Sequence, residues 1–263
     1  IWQEFPFRSK IENVWTVRMS GCLKRILKQG EEYDMKKLAF NIAIDGPAGA
    51  GKSTIAKMVA KKLNFIYVDT GAMYRAIALY LLRGGVDTAD ETAVSEAVKN
   101  ADITIRYQDG AQQVILNGED VSGLIRTEKV GNTASATSVY PSVRAHLLEL
   151  QRSLAASQNV IMDGRDIGTC ILPDAQAKIY LTASSRVRAV RRYKELTEKG
   201  TMCNLEEIEQ DIIERDHRDM TREIAPLKQA EDAVLLDSSE MTIDQVVQAI
   251  IDTAKAHGLK EKV

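Results

Sequence analysis

Residues 40–54 read FNIAIDGPAGAGKST, and the change of character inside this stretch decides the fold. Residues 41–44 form a short apolar run that reads as a buried strand, and residues 53–63 carry the 3.6-residue periodicity of a helix. Between them GPAGAGKS, Gly46 to Ser53, satisfies G-x-x-x-x-G-K-S in the strand-to-helix context where that pattern builds a phosphate cradle. Glycines let the backbone wrap close enough to aim N–H groups at phosphate oxygens, and the helix N-terminus adds its positive dipole. Lys52 is expected to reach the β- and γ-phosphates of a nucleotide, and Ser53 to ligate Mg²⁺.

Outward from the cradle, short apolar runs alternate with longer helical patterns, which predicts parallel strands joined by helical crossovers. Strands are expected at 41–44, 65–68, 160–162, 177–181 and 234–236, all buried on both faces. Helices are expected at 53–63, 71–82, 142–156, 186–198, 205–221 and 242–256. Residues 102–123, DITIRYQDGAQQVILNGEDVSG, break the alternation. Asp109-Gly110 and Asn117-Gly118 are hairpin-turn dipeptides, so this stretch reads as a three-stranded antiparallel meander inserted into the parallel architecture.

With 263 residues, 44% of them hydrophobic, the chain is long enough for a full core. A formal net charge of −2 supplies no global basic field for a nucleic-acid polymer, so an anionic ligand must be held locally. Cys22, Cys170 and Cys203 form no C-x-x-C pair, which argues against disulfides and structural zinc and fits a reducing cytoplasm. No apolar run has the length of a membrane span. Residues 1–34 lack helical or strand periodicity before MKKLAFNIAIDG begins at Met35. We read them as an appendage with Met35 as the natural start; the alternative is a tail packed on the core through Trp2, Phe5, Phe7 and Trp15. Residues 35–263 are expected to form a single domain.

Three further stretches carry candidate chemistry. VIMDGRDIG, residues 160–168, is an apolar strand ending in Asp163, the position from which an acid addresses Mg²⁺ or its waters. DTGAMYR, residues 69–75, follows the second strand. Parallel strands open their ligand crevice at their C-terminal ends, so Arg75 can face the cleft that holds Lys52; the alternative is an exposed helix arginine. In the 205–221 helix, Leu205, Ile208, Ile212, Arg215, Asp219 and Arg222 recur at spacings of three and four, one face on which an apolar stripe becomes charged. That pattern suits a helix running from the core into a polar cavity, with Asp211–Arg215 surface pairing as the alternative. A guanine-reading N-K-x-D is absent, and the chain is short for a large ATPase. What remains is a compact transferase of a γ-phosphoryl group.

GPAGAGKST, DTGAMYR, GRDIGT, ASSRVRAVRR, ERDHRDMTRE and IAPL, in this order and spacing, closely resemble bacterial cytidylate kinases from about Phe40 to the C-terminus. The resemblance implies an α/β fold: a P-loop kinase with a five-stranded parallel sheet flanked by helices, a small three-stranded antiparallel insert in the monophosphate-binding region and a short helical lid over about 191–225. It implies transfer of the γ-phosphoryl group of ATP to CMP or dCMP with Mg²⁺. Gly46, Pro47, Ala48, Gly49, Ala50, Gly51, Lys52, Ser53 and Thr54 would hold ATP phosphates, Ser53 and Asp163 the metal, and Arg191 and Arg192 would open the lid. Arg75 and Arg165 would grip the CMP phosphate beside Tyr74. Thr70, Ser135, Arg144 and Asp166 would read the cytosine. Arg215 and Asp219 would contact the ribose side, and Arg222 would approach the phosphates, completing a charge-stabilising set of Lys52, Arg165, Arg215 and Arg222. Thr70 departs from the serine frequent in relatives. The expected protein is a cytoplasmic monomer acting on small molecules, without nucleic-acid or membrane partners. Two rivals share the cradle: another small P-loop kinase with a UMP, AMP or metabolite acceptor, and a nucleotide-gated binding protein.

Overall fold

The computed structural model describes residues 39–108 and 110–260. The expectations for residues 1–34, for Cys22 and for Asp109 lie outside the described residues. Strands β1 (Asn41–Asp45), β2 (Ile66–Asp69), β6 (Val160–Gly164), β7 (Ala177–Thr182) and β8 (Val234–Asp237) form one parallel sheet in the order β2-β6-β1-β7-β8. The strand expected before the glycine loop is thus central, with Ile42 opposite both Ile161 and Ala177. Because side chains alternate along a strand, Ile42 and Ile44 face one core while Ala43 faces the other.

The first core is closed by α1 (Lys52–Leu63) and α8 (Ile243–Ala256), through Ile55, Val59, Val247 and Ile250. The second is closed by α2 (Thr70–Arg83) and α5 (Pro141–Ser157), through Met73, Ile77, Leu147 and Leu150. One expectation is corrected: β8 is not buried on both faces, since Val234 and Leu235 are 40% and 56% exposed. It pairs only with β7, so as an edge strand it lacks the cover that interior parallel strands have.

The meander is present as β3 (Ile103–Gln108), β4 (Ala111–Leu116) and β5 (Glu119–Asp120). Asn117 and Gly118 both take positive φ, 48° and 87°, the pattern of a primed hairpin turn. The meander is bound to the end of β2: the Tyr107 hydroxyl donates to the Tyr67 carbonyl at 3.1 Å, and the Gln112 amide accepts from Asp69 N at 2.8 Å and donates to Asp69 O at 3.2 Å.

Two helices were not anticipated, α3 (Glu91–Val98) and α4 (Glu128–Thr137). Asp90 caps α3 and Thr127 caps α4. The α4 sequence EKVGNTASAT is poor in helix formers, and its helicity comes from packing Val130 and Ala134 into the core beside α2. The helices α6 (Ser185–Glu198) and α7 (Leu205–Thr221) pack against each other. On α7, Ile212, Asp216 and Asp219 are buried, which agrees with one face running from apolar to charged. None of the described helices is long and apolar enough to cross a membrane.

Candidate functional site

The glycine loop closes against a neighbouring strand. A Cβ on Gly46 would lie 1.9 Å from the Leu181 carbonyl oxygen, so no other residue fits there. Gly49 and Gly51 take φ of 74° and 86°, the left-handed region that glycine enters without strain. Lys52 folds back across the loop and donates to the Pro47 carbonyl at 2.7 Å. Burial, aided by nearby Arg165, pushes its ammonium well below the ordinary lysine pKa. Additional negative charge here would favour the protonated form.

Asp163, at the end of β6, receives the Ser53 hydroxyl at 2.8 Å and the Tyr67 hydroxyl at 2.9 Å. Burial first, and then Asp69, raise its carboxyl to about 6. A buried carboxylate held at that cost, next to a hydroxyl at the loop mouth, is a hard-oxygen pair suited to Mg²⁺. No group of three or more His, Cys, Asp or Glu that could hold a metal occurs among the described residues. A cation there would therefore take its remaining ligands from phosphate and water.

A cleft of about 720 Å³ runs over the loop and is lined by Arg75, Arg126, Arg165, Arg188, Arg191, Arg192 and Arg215 besides Lys52. So many cations at one crevice fit a polyanionic ligand. Arg75 donates to the Ile125 carbonyl at 3.1 Å, and its guanidinium lies over Gly131, where a Cβ would come within 2.9 Å of Nη1. Arg165 is aimed by Asp219 at 2.9 Å. The buried Nε of Arg215 makes no hydrogen bond among the described residues. Arg191 donates to the Ser238 carbonyl at 2.8 Å.

A second cluster begins at Asp166, the residue after Arg165. Asp166 receives Arg144 in an ion pair and has Arg222 at 3.7 Å. Ser138 links both arginines, its carbonyl accepting from Arg144 and its hydroxyl from Arg222, each at 3.3 Å. Arg144 also stands over the Tyr74 ring at 5.8 Å. Ser135 meets this cluster through its carbonyl, which accepts from the Ser138 hydroxyl at 2.9 Å.

Arg222, expected to approach the phosphates, stands beside Asp166, and Arg215, expected on the ribose side, is among the residues lining the cleft over the loop. The Thr70 hydroxyl donates to the Asp163 carbonyl at 2.7 Å, leaving only acceptor capacity for a ligand.

Sequence reasoning missed Asp45, Tyr67, Arg126, Ser138, Arg188 and Asp216. Asp45 accepts the Ile167 and Gly168 N–H groups, both at 2.7 Å, and so anchors the π-helical turn Ile167–Ile171 that follows Asp166. Arg126 is held by Asp69 at 2.8 Å. Only Arg188 and Asp216 left a usable trace: each lies within three residues of a named arginine and shares its helix.

A central strand, a glycine loop entering a helix, and a cationic cleft at the carboxyl edge of a parallel sheet define the class: a P-loop kinase. A family model described as Cytidylate kinase matches residues 42–256. Among curated proteins, the cytidylate kinase of Caldicellulosiruptor saccharolyticus is 50% identical over 83% of this chain and 96% of its own. That of Carboxydothermus hydrogenoformans is 47% identical over 81% and 96%, and that of Lactobacillus gasseri 50% identical over 82% and 96%. The chain belongs to the cytidylate kinase family.

Proposed function

We propose that the protein transfers the γ-phosphoryl group of ATP to CMP or dCMP, releasing ADP and the cytidine diphosphate, as a cytoplasmic monomer. The observation that carries this reading is the Arg144–Asp166 pair, set beside the arginine-lined phosphate cleft. Cytosine offers an N4 amino donor beside N3 and O2 acceptors, so a carboxylate and a guanidinium complement it. Uracil replaces the donor with an acceptor, so its O4 and the Asp166 carboxylate face each other with no hydrogen bond between them. At ~1 to 3 kcal/mol for an unsatisfied buried group, CMP is preferred over UMP by about tenfold or more.

In this reading residues 46–54 wrap the ATP phosphates, and Arg191 and Arg192 close over them on the helical lid, about 191–225. Arg75, Arg126 and Arg165 receive the acceptor phosphate, with Asp219 holding Arg165. Tyr74, Ser135, Arg144 and Asp166 form the base pocket, which Arg222 braces, and Thr70 supports the β6 end from below. Ser53 and Asp163 hold Mg²⁺, which when bound neutralises phosphate charge. No general base is required, because a phosphate monoester with a second pKa of about 6 is largely ionised at neutral pH. The barrier is the meeting of two polyanions and the charge spread over the transferred group. Lys52, Arg165 and Arg215 answer it by positioning and electrostatic stabilisation in a site that excludes water. A coupled assay with CMP, dCMP, UMP and AMP tests the proposal. ADP release is expected chiefly with CMP and dCMP; release with none of the four would overturn it.

A further inference from the structure

Arg188 is 5% exposed, and each of its three guanidinium nitrogens is committed to this chain. Nε donates to the Ala183 carbonyl at 2.8 Å, Nη1 to the Ala48 carbonyl at 2.9 Å, and Nη2 to Asp216 at 2.6 Å. One side chain on α6 therefore joins the end of β7, the phosphate loop and α7. Its stem also lies against the loop, since a Cβ on Gly49 would be 3.4 Å from the Arg188 Cβ. Asp216, the partner on α7, sits directly after Arg215 and three residues before Asp219.

Two unsatisfied atoms indicate what this arrangement does. Oδ1 of Asp216 and Nε of Arg215 are both buried without a hydrogen-bond partner among the described residues. A buried ion pair with an oxygen left unpaired is a weak source of stability, because desolvation offsets most of its attraction. Arg215 lines the cleft without an Nε bond to aim it, so its direction depends on the rotation and height of α7. That rotation is set one residue away, where Asp216 is tied through Arg188 to the loop carbonyl of Ala48.

We propose that Arg188 and Asp216 are a positioning pair that registers α7 on the phosphate loop and thereby aims Arg215 at the phosphates. This rests on the kinase reading above and assigns the pair a role in that same site. With its three guanidinium nitrogens already bonded within the chain, Arg188 acts through Arg215.

The test is a mutant cycle. Arg188→Lys and Asp216→Asn are made singly and again with Arg215→Ala, and each protein is measured for kcat, for KM and, by calorimetry, for ATP affinity. In the otherwise native chain both substitutions are expected to lower kcat by about tenfold or more, as small misplacements of a catalytic group do. The KM for CMP should stay nearly constant, and ATP affinity should fall along with kcat. With Arg215 already alanine, each is expected to cost less than about twofold in kcat and in ATP affinity. Losses that multiply unchanged in the Arg215→Ala background would overturn the proposal. A chain carrying Arg188→Met with Asp216→Leu separates positioning from folding: it is expected to melt near the native temperature yet keep the low kcat, and native turnover in it would equally overturn the proposal. If the native chain phosphorylates none of the four acceptors, the kinase reading fails, and the calorimetric cycle still decides the pair.

Discussion

Asp166, 4% exposed, is approached by two guanidinium groups, Arg144 in direct contact and Arg222 at 3.7 Å. Replacing it with alanine leaves two neighbouring arginines uncompensated and removes the acceptor proposed for cytosine N4. Asp166→Ala is therefore expected to reduce the CMP-to-UMP ratio of kcat/KM by about tenfold, with the KM for ATP nearly unchanged. A preserved ratio would remove Asp166 from base recognition. Arg222, placed by its bonds to Ser138 and the Ala225 carbonyl, belongs to the same cluster. Arg222→Ala should raise the KM for CMP by about tenfold, the order of a lost charged hydrogen bond, and affect ATP little. A pure loss of kcat would instead place this arginine at the transferring phosphate.

At the scale of elements, the end of β1 sets both the loop and the turn after β6. Gly46 meets the Leu181 carbonyl, while Asp45 receives two backbone N–H groups from the π-helical turn. Burial raises the Asp45 carboxyl to about 6, against the lowering effect of those two hydrogen bonds. Between the ordinary aspartate value and about 6, the folded chain holds a proton that the unfolded chain has released. The unfolded state thus binds fewer protons, and the Asp45 contribution makes stability fall as pH rises through that window. Asp45→Asn should flatten the fall by up to ~1.4 kcal/mol per pH unit, although its amide serves the two N–H groups less well and lowers absolute stability. Urea unfolding of both chains at several pH values between about 4 and 7 checks the slopes; parallel curves would show that Asp45 titrates normally. Asp163, also raised to about 6, keeps its own share of the slope in both proteins.

Across the whole molecule the formal charge is only −2, yet seven arginines and Lys52 line one cleft. Like charges held together in one cleft repel, and a polyanion relieves them. ATP with Mg²⁺, at about one hundred times its Kd, should stabilise the fold by ~2.7 kcal/mol, a rise in Tm on the order of 5 to 10 °C for a chain of this size, and CMP at the same multiple of its own Kd by about as much again. Calorimetric melting with and without the ligands measures it. An unchanged Tm would mean that the cleft binds neither.

The central strand, the glycine loop, the five parallel strands and the meander were legible in the sequence because each is written in a local code. A loop motif and periodicities of 2 and 3.6 act over about ten residues. The inward charged face of α7 was legible for the same reason. The rest depended on groups distant in the chain. Asp45 meets Ile167 across 122 positions, and Arg188 meets Ala48 across 140; no local pattern encodes which buried carbonyl or N–H will need a partner. Helix α4 formed against its own weak propensity once α2 supplied a surface. The positions of Arg215 in the cleft lining and of Arg222 beside Asp166 were likewise decided by packing, because a helical face specifies which side chains point inward, and the neighbouring helices and loops decide which cavity each of them enters.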